Sequence, residues 1–390
     1  MKPILIDCSL TGGRGPAKKV YELCTDLKKL EIPFHLITDE GFVPKLRDLG
    51  IEPDYIVKTK ISDPPLEIME KFLSIIKGID YGFMVKIGAR MAGPHASKVL
   101  KKPYIIADGG LPDYMTEEEG LYNRETFQKA EKYYVTTQFE WVPPNRLDLD
   151  NVEVCCYPIA EKTFNYIDVI KKNSKLKNLE LIKDKVDGNL PKNEDDLLID
   201  IVMTGSYVLH TNRVTYGAWL KADEYDMVVG YLRRLVTDLG ETFETVYIFM
   251  DSDLLEVVSD LREKYGNLHI LTYKGDWDME VELVMKAASD VTISRATNYQ
   301  PYIATLGKGC NVTTPVPAAG YMDEDSAGVQ YAEMGYTRLI EYNDEDYIFK
   351  LKAFLQDTEE QGKIAKKLID NKFVKERNLI KIVLDRYKNQ

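Results

Sequence analysis

The sequence alternates between short apolar runs and amphipathic stretches, and this alternation occurs in two separate series. The first series opens with the run KPILIDCSL, the turn TGGRG, the helical pattern PAKKVYELCTDLKKLEI and a second run, PFHLITDEG. Two strands joined by a helix form a β-α-β unit, whose crossover connection requires parallel strands. Further helix–strand pairs, ending with RETFQKAEKY and YVTTQF, continue the series. The pattern predicts an α/β domain built on a parallel sheet.

A second series begins at LLIDIVMTGS and runs through TVYIFMD, LHILTYK, DVTISR and CNVTTP. Between the two series, residues 161–198 are charged and mostly lack the pattern of a buried strand, which favours an interdomain connection that is partly helical. We therefore expect an α/β fold with two Rossmann-like, doubly wound parallel-sheet domains that face a cleft. The predicted domains are residues 1–160 and 199–370, with a C-terminal helix at 371–390 that packs back on the first domain.

Composition narrows the class of protein. The chain has 390 residues, 44% of them hydrophobic, and a formal net charge of −12, which argues against nucleic acid or an anionic membrane as the main partner. No apolar run approaches the roughly 20 residues that span a bilayer. The five cysteines and four histidines show no metal-ligand spacing. These features predict a cytoplasmic protein with reduced thiols and no metal site.

Four polar or glycine-rich loops follow predicted strands, at residues 9–15, 108–110, 204–206 and 294–298. In doubly wound sheets, ligands bind beyond the carboxyl ends of the strands. The first loop lacks both the G-x-G-x-x-G pattern and the lysine of a P-loop, so by itself it is also compatible with a plain tight turn. Taken together, the four loops predict a ligand site between the two domains.

The candidate side chains in and near these loops each have two interpretations. Asp108 and Asp7 end predicted strands and are candidate general bases, although each is equally compatible with a capping or ion-pair role. His95 begins a predicted helix and is either a hydrogen-bond donor in the site or a surface histidine. Arg295 is suited to offset phosphate charge, or to pair with one of the many carboxylates.

Three segments carry a resemblance to a known family. They are SLTGGRGPAKKVYELCTDL, AGPHASKVLKKPYIIADGG and the long stretch from VMKAASDVTISRATNYQ to AGVQYAEMG. In order and spacing they resemble the glycine loop, the G-P…L-x-x-P segment and the donor-binding region of GT-B nucleotide-sugar glycosyltransferases. Within that family, the MurG-type group is the most similar.

The resemblance implies an inverting, metal-independent glycosyltransferase that needs no cofactor and uses a nucleotide-diphosphate sugar such as a UDP-sugar. The acceptor would be a lipid-linked or small molecule held by the first domain. The implied catalytic residues are Asp108, Asp7 and His95. The implied acceptor-side residues are Gly12, Gly13, Arg14, Gly15, Gly109 and Gly110. The implied nucleotide-sugar-binding residues are Thr204, Gly205, Ser206, Arg295, Thr297, Asn298, Gln300, Asp323 and Glu324.

The chain departs from the family at two motifs. Arg14 stands in the loop where these enzymes usually carry a histidine, and Gln300, Tyr302 and Thr305 stand near the position of their ribose-binding glutamate. Asp323 and Glu324, which lie near the position of the family's glutamine pair, are also compatible with a solvated turn. Two other functions therefore stay open: a nucleotide-sugar hydrolase or epimerase, and a non-catalytic nucleotide- or sugar-binding protein.

Overall fold

The computed structural model describes most of the chain. The described residues are 1–9, 14–60, 63–88, 90–108, 124–137, 139–140, 149–202, 222–275, 277–294, 301–315 and 323–390, with the backbone alone at 14, 222–228, 253, 301 and 323–326. They divide into two compact units. The first unit comprises Met1–Phe164 and Lys372–Gln390, and the second comprises 165–202 and 222–371. Among the described helices, none is both long and apolar enough to cross a membrane.

The described residues of the first unit form a seven-stranded sheet. Its strands are β1 (Ile4–Asp7), β2 (Phe34–Asp39), β3 (Tyr55–Val57), β4 (Phe83–Ile87), β5 (Tyr104–Asp108), β6 (Lys132–Thr137) and β7 (Val152–Cys156). All neighbouring strands are parallel, in the order β3-β2-β1-β4-β5-β6-β7. The strand order reverses direction between β1 and β4, which makes their carboxyl ends the switch point of the sheet.

Helices cover both faces of this sheet. They are α1 (Arg14–Lys29), α2 (Val43–Arg47), α3 (Pro65–Ile76), α4 (Ala92–Val99) and α5 (Arg124–Lys129). On one face, Val20, Leu23 and Leu27 of α1 pack in a core with Ile4 and Ile6 of β1. Since successive strand residues point to opposite faces, Asp7 points to the other one.

The second unit also contains a seven-stranded sheet among its described residues. Its strands are β8 (Val186–Asp187), β9 (Leu197–Val202), β10 (Val246–Phe249), β11 (Leu268–Tyr273), β12 (Val291–Ser294), β13 (Asn311–Thr313) and β14 (Arg338–Leu339). The order is β14-β13-β12-β9-β10-β11-β8, with only β8 antiparallel to its neighbour. Its switch point lies between β9 and β12.

The remaining helices follow the chain order. They are α6 (Glu161–Ile170), α7 (Lys175–Ile182), α8 (Ala222–Thr242), α9 (Leu255–Lys264), α10 (Met279–Ala288), α11 (Pro301–Leu306), α12 (Asp323–Glu333), α13 (Tyr347–Gln356), α14 (Thr358–Ile369), α15 (Phe373–Glu376) and α16 (Leu379–Lys388). Helix α16 contributes Leu379, Ile380 and Val383 to the core of the first unit.

Residues 165–198 belong to the second unit, whereas the sequence predicted a connection there. Helix α7 packs on α10, and β8 extends the sheet by pairing with β11. Leu179, Ile182 and Val186 are buried by these contacts. These three residues recur at i, i+3 and i+7, which is a helical spacing, but the sequence does not show that the segment packs on α10 and β11.

Candidate functional site

Three charged side chains lie towards the carboxyl edge of the first sheet. Asp7 is aligned with Lys86 on the neighbouring strand β4, and Lys86 is aligned with Ile106 on β5. Asp108 lies two residues after Ile106, so the parallel register places Asp7, Lys86 and Asp108 on the same face of the sheet. In an open α/β sheet, ligands bind in the crevice beyond the carboxyl ends of the strands at the switch point, which here lies between β1 and β4.

Asp7 and Lys86 form a buried network with Ser9. Oδ1 of Asp7 accepts hydrogen bonds from the Ser9 backbone N–H at 2.9 Å and from the Ser9 hydroxyl. Lys86 Nζ lies 3.4 Å from Asp7 Oδ1 and donates to the Ser9 carbonyl at 2.6 Å. All three residues are fully buried. A buried ammonium is tolerated only with such partners.

The other Asp7 oxygen, Oδ2, lies against the first turn of α4. It accepts no hydrogen bond from any described residue. A Cβ added to Gly93 would overlap Oδ2, so the absence of a side chain at Gly93 allows the helix to come this close. The positive end of the α4 dipole therefore faces the Asp7 carboxylate.

Asp108, the last residue of β5, is half-buried, and its Oδ2 is buried without a hydrogen bond from the described part of the chain. Its charge interacts with Lys19, a buried residue of α1. Lys19 Nζ donates to Thr136 Oγ1 at 2.7 Å and lies 4.8 Å from the centre of the Tyr157 ring. Burial lowers the pKa of Lys19, and the charge of Asp108 acts in the opposite direction.

His95 lies in the first half of α4 and is partly buried. Burial and the charge of Lys98 lower its pKa, while Glu125 opposes them. A pKa below the ordinary value of 6.5 keeps the imidazole neutral at pH 7. Its buried Nδ1 has no hydrogen-bond partner among the described residues.

The structure describes only some of the residues predicted on the acceptor side. Gly15 is buried in the first turn of α1, and its carbonyl accepts a hydrogen bond from the Tyr157 hydroxyl at 3.1 Å. Arg14 begins that helix. Gly12, Gly13, Gly109 and Gly110 lie outside the described residues, as does the side chain of Arg14.

In the second unit, the predicted nucleotide-binding segments follow two adjacent strands. Val202, the last residue of β9, is aligned with Ser294, the last residue of β12. Val202 and Ser294 therefore end neighbouring strands at the switch point, and residues 203–221 and 295–300 follow them in sequence. Thr204, Gly205, Ser206, Arg295, Thr297, Asn298 and Gln300 lie outside the described residues. Asp323 and Glu324 begin α12, with their side chains outside the description.

A second buried charge network connects β9, one of the two strands at this switch point, with α10. Lys286 of α10 lies 3.4 Å from Asp200 of β9 and 3.5 Å from Glu282. Glu282 accepts a hydrogen bond from the Trp277 indole N–H at 2.8 Å. Burial raises the pKa of Asp200, and Lys286 opposes it. The network joins the central strand to the start of α10.

Lys86, Lys19 and Thr136 were not predicted from the sequence. The position of Lys86 inside the apolar run FMVKI could have indicated its role, because a charged side chain is buried in a strand only when it has a polar or charged partner. Lys19 and Thr136 gave no comparable signal, since they meet only when α1 packs on β6. Among the residues that the structure describes, no group of three His, Cys, Asp or Glu side chains could hold a metal ion.

A scan against protein-family models finds no match, and a search of curated protein sequences finds none. Solved structures do match. MurG of Acinetobacter baumannii has a TM-score of 0.60 at 14% identity, with 99% of this chain and 100% of that chain covered. UDP-GlcNAc 2-epimerase from Neisseria meningitidis, bound to UDP-GlcNAc, has a TM-score of 0.62 at 14% identity, with both chains covered fully (100%).

A third similar structure is the Methanocaldococcus jannaschii UDP-GlcNAc 2-epimerase in complex with UDP-GlcNAc and UDP, with a TM-score of 0.64, 12% identity and 100% of both chains covered. At such identities the likeness concerns the fold. The two parallel-dominated sheets of seven strands and their covering helices are those of GT-B glycosyltransferase-like proteins. The expected α/β class and GT-B fold are thus confirmed.

Proposed function

We propose that this protein is a glycosyltransferase that moves a sugar from a nucleotide-diphosphate donor to an acceptor hydroxyl. The observation that carries the proposal is the placement of Asp108 at the carboxyl edge of the first sheet, where its side chain is only half-buried. A carboxylate so placed is suited to accept a proton from a bound hydroxyl.

The proposed reaction is a single inverting displacement. Asp108 takes the acceptor proton, and the acceptor oxygen then forms a bond to the anomeric carbon. The bond from that carbon to the diphosphate oxygen breaks, and the nucleoside diphosphate leaves with the electron pair. Arg295 and backbone N–H groups would stabilise the departing charge, which is the role of preorganised donors in a transferase site. Lys19, close enough to interact with Asp108, would stabilise its carboxylate before proton transfer.

The donor is assigned to the second unit. The support is the adjacency of Val202 and Ser294 at the carboxyl ends of neighbouring strands. The residues that follow them in sequence include Gly205, Ser206, Arg295, Thr297 and Asn298. A UDP-sugar is the first donor to test, because two of the similar structures contain UDP-GlcNAc. The acceptor is proposed to be a lipid-linked or small molecule.

A second candidate is an epimerase or hydrolase that consumes the same donor alone. The observation that favours it is the similarity of the whole chain to UDP-GlcNAc 2-epimerases. Donor consumption should be measured by ³¹P and ¹H NMR with and without a panel of lipid-linked and small-molecule acceptors. A transferase releases nucleoside diphosphate faster when an acceptor is present. Equal turnover without acceptor would replace the transferase with the epimerase or hydrolase, and binding without turnover would leave a binding protein.

A further inference from the structure

The Asp7–Ser9–Lys86 network holds every polar backbone and side-chain group of Ser9. The Ser9 N–H and hydroxyl both donate to Asp7 Oδ1, and the Ser9 carbonyl accepts from Lys86 Nζ. Ser9 is the second residue after β1, at the switch point of the sheet. The direction in which the chain leaves β1 is therefore fixed by two side chains from neighbouring strands.

Asp7 is poorly placed to exchange protons with a substrate. The side chains of Asp7 and Lys86 are both fully buried, with 0% of their surface exposed. Oδ1 is occupied by Ser9, and Oδ2 faces the first turn of α4 at Gly93. Asp108, on the same sheet face, is half-buried and has no such ion-pair partner within hydrogen-bonding distance among the described residues.

We propose that Asp7 and Lys86 are positioning residues, which fix Ser9 and the first turn of α4 relative to Asp108, and that Asp7 is not the base. This inference rests on the proposed function, since it assigns roles within that site. Removing either charge leaves the other buried and unpaired, and the surrounding groups must then rearrange. A displacement of about 1 Å in a catalytic site costs on the order of 100-fold in rate.

The test is a double-mutant cycle of Lys86→Met and Asp7→Asn. Each single variant should lower kcat/KM by roughly 10- to 100-fold. The double variant, which contains no unpaired charge, should recover at least roughly tenfold relative to the poorer single variant. In all three variants, kcat/KM should still fall at low pH as the catalytic base becomes protonated, whereas substitution of the proposed base, Asp108→Asn, should abolish this dependence. If Asp7→Asn itself abolishes the dependence and the added Lys86→Met substitution restores no activity, Asp7 is the base and the proposal is overturned.

Hydrogen exchange at the Ser9 amide supplies a readout that does not depend on turnover. Exchange should be at least tenfold faster in each single variant than in the wild type. Asp7→Asn replaces the charged acceptor of the N–H by a weaker one, and Lys86→Met removes the donor that holds the Ser9 carbonyl and leaves Asp7 without its counter-charge. Leu27→Ala is the matched control, since it removes a buried side chain at the far end of α1. Leu27→Ala should lower the melting temperature. The pH profile of kcat/KM should stay unchanged, and Ser9 exchange should become no faster than the loss of global stability requires.

The outcomes separate the two proposals. If the wild type turns over no nucleotide sugar, the proposed function fails, and Ser9 exchange alone decides whether Asp7 and Lys86 position it. If turnover is found but both single variants match the wild type, the positioning role fails and the function stands. Should Lys86→Met not fold, Ser9→Ala removes only the hydroxyl bond and should still lower kcat/KM by about two- to fivefold. Unchanged kcat/KM in that variant would contradict the proposal.

Discussion

At the scale of single residues, the proposed chemistry depends most on Asp108. Asp108→Asn keeps the shape of the side chain and removes its basicity, so kcat should fall by about 10²–10⁴. Donor affinity should stay within about threefold, because the donor is assigned to the second unit. Stopped assays of donor turnover, with nucleotide affinity measured by calorimetry, give both numbers.

A matched control is available at another strand end. Asp39 is the last residue of β2 and is buried, but it lies on the other side of the switch point. Asp39→Asn should leave kcat unchanged. If Asp108→Asn also retains wild-type kcat with an unchanged melting profile, Asp108 is only a structural carboxylate, and His95 becomes the next candidate.

Lys308 gives a prediction of pH-dependent stability. Its ammonium donates to the Lys286 carbonyl at 2.7 Å and to the Ser289 carbonyl, at the end of α10. Burial lowers its pKa from 10.5 to about 8. Between these values the unfolded chain binds the proton more tightly than the fold does, so the wild type gains stability as pH rises through this range.

Relative to Lys308→Met, the wild type should gain on the order of 1–2 kcal/mol between pH 7.5 and 9.5. Urea unfolding of both proteins at the two pH values measures the difference. The comparison removes the contributions of all other titrating groups, which the two proteins share. A difference that stays constant would mean that Lys308 keeps an ordinary pKa in the fold, and one that shrinks would mean that its pKa is raised.

The sequence indicated part of this residue-level arrangement. Asp7 and Asp108 were predicted at strand ends because each follows an apolar run. Their common face was not predictable, since it depends on the register that aligns Asp7 with Lys86 and Lys86 with Ile106. The role of Thr136 was likewise not predictable, because its partner Lys19 is more than a hundred residues away in sequence. Strand ends are local features, whereas the pairing of side chains across strands is not.

At the scale of elements, the position of α4 depends on Gly93. Alanine normally favours a helix over glycine by about 1 kcal/mol. At Gly93, the added Cβ would overlap the buried Asp7 Oδ2, so Gly93→Ala should instead destabilise the protein by roughly 1–3 kcal/mol. Chemical denaturation measures this change in the free energy of unfolding.

Gly362 in α14 is the matched control, because a Cβ there meets no atom within 4 Å. Gly362→Ala should stabilise the protein by about 0.5–1 kcal/mol. Opposite signs for the two substitutions are the expected result. Stabilisation by both would show that α4 does not press against Asp7.

The short edge strands were not predicted from the sequence, for a physical reason. The edge strands β3, β8 and β14 have three, two and two residues, too few to show a period. Their positions depend on the neighbouring strand that they extend, as β8 extends β11. The central strands β1, β5, β9 and β12 were predicted, because strands buried on both faces are continuous apolar runs.

At the scale of the whole molecule, the two α/β series predicted the two sheets and their class. Alternation of strand and helix is repeated many times, so local errors leave the architecture unchanged. The segment at 165–198 is the exception, because its burial depends on contacts with α10 and β11 rather than on its own pattern. The C-terminal helices Phe373–Glu376 and Leu379–Lys388 belong to the first unit, and here the sequence did suggest the contact, since a C-terminal helix at 371–390 was expected to pack back on the first domain.

The assignment of the donor to the second unit leads to a prediction about ligand-induced stability. A ligand that binds only the folded protein raises its stability, by about 2.7 kcal/mol at 100 times the dissociation constant. UDP should therefore raise the melting temperature of the wild type, and uridine should do so less, because the diphosphate contributes charged hydrogen bonds.

Arg295→Ala should weaken UDP binding by roughly 10- to 100-fold, which corresponds to the loss of a charged hydrogen bond of about 1.5–3 kcal/mol. Uridine binding should change by less than about twofold, because a nucleoside has no phosphate for the guanidinium to contact. Arg262→Ala, at an exposed position on α9 of the same unit, controls for the loss of one positive charge and should leave both affinities unchanged. Calorimetric titration of the three proteins with both ligands provides the comparison. Equal weakening of UDP and uridine would remove Arg295 from the phosphate site, and loss of UDP affinity in Arg262→Ala as well would attribute the effect to overall charge.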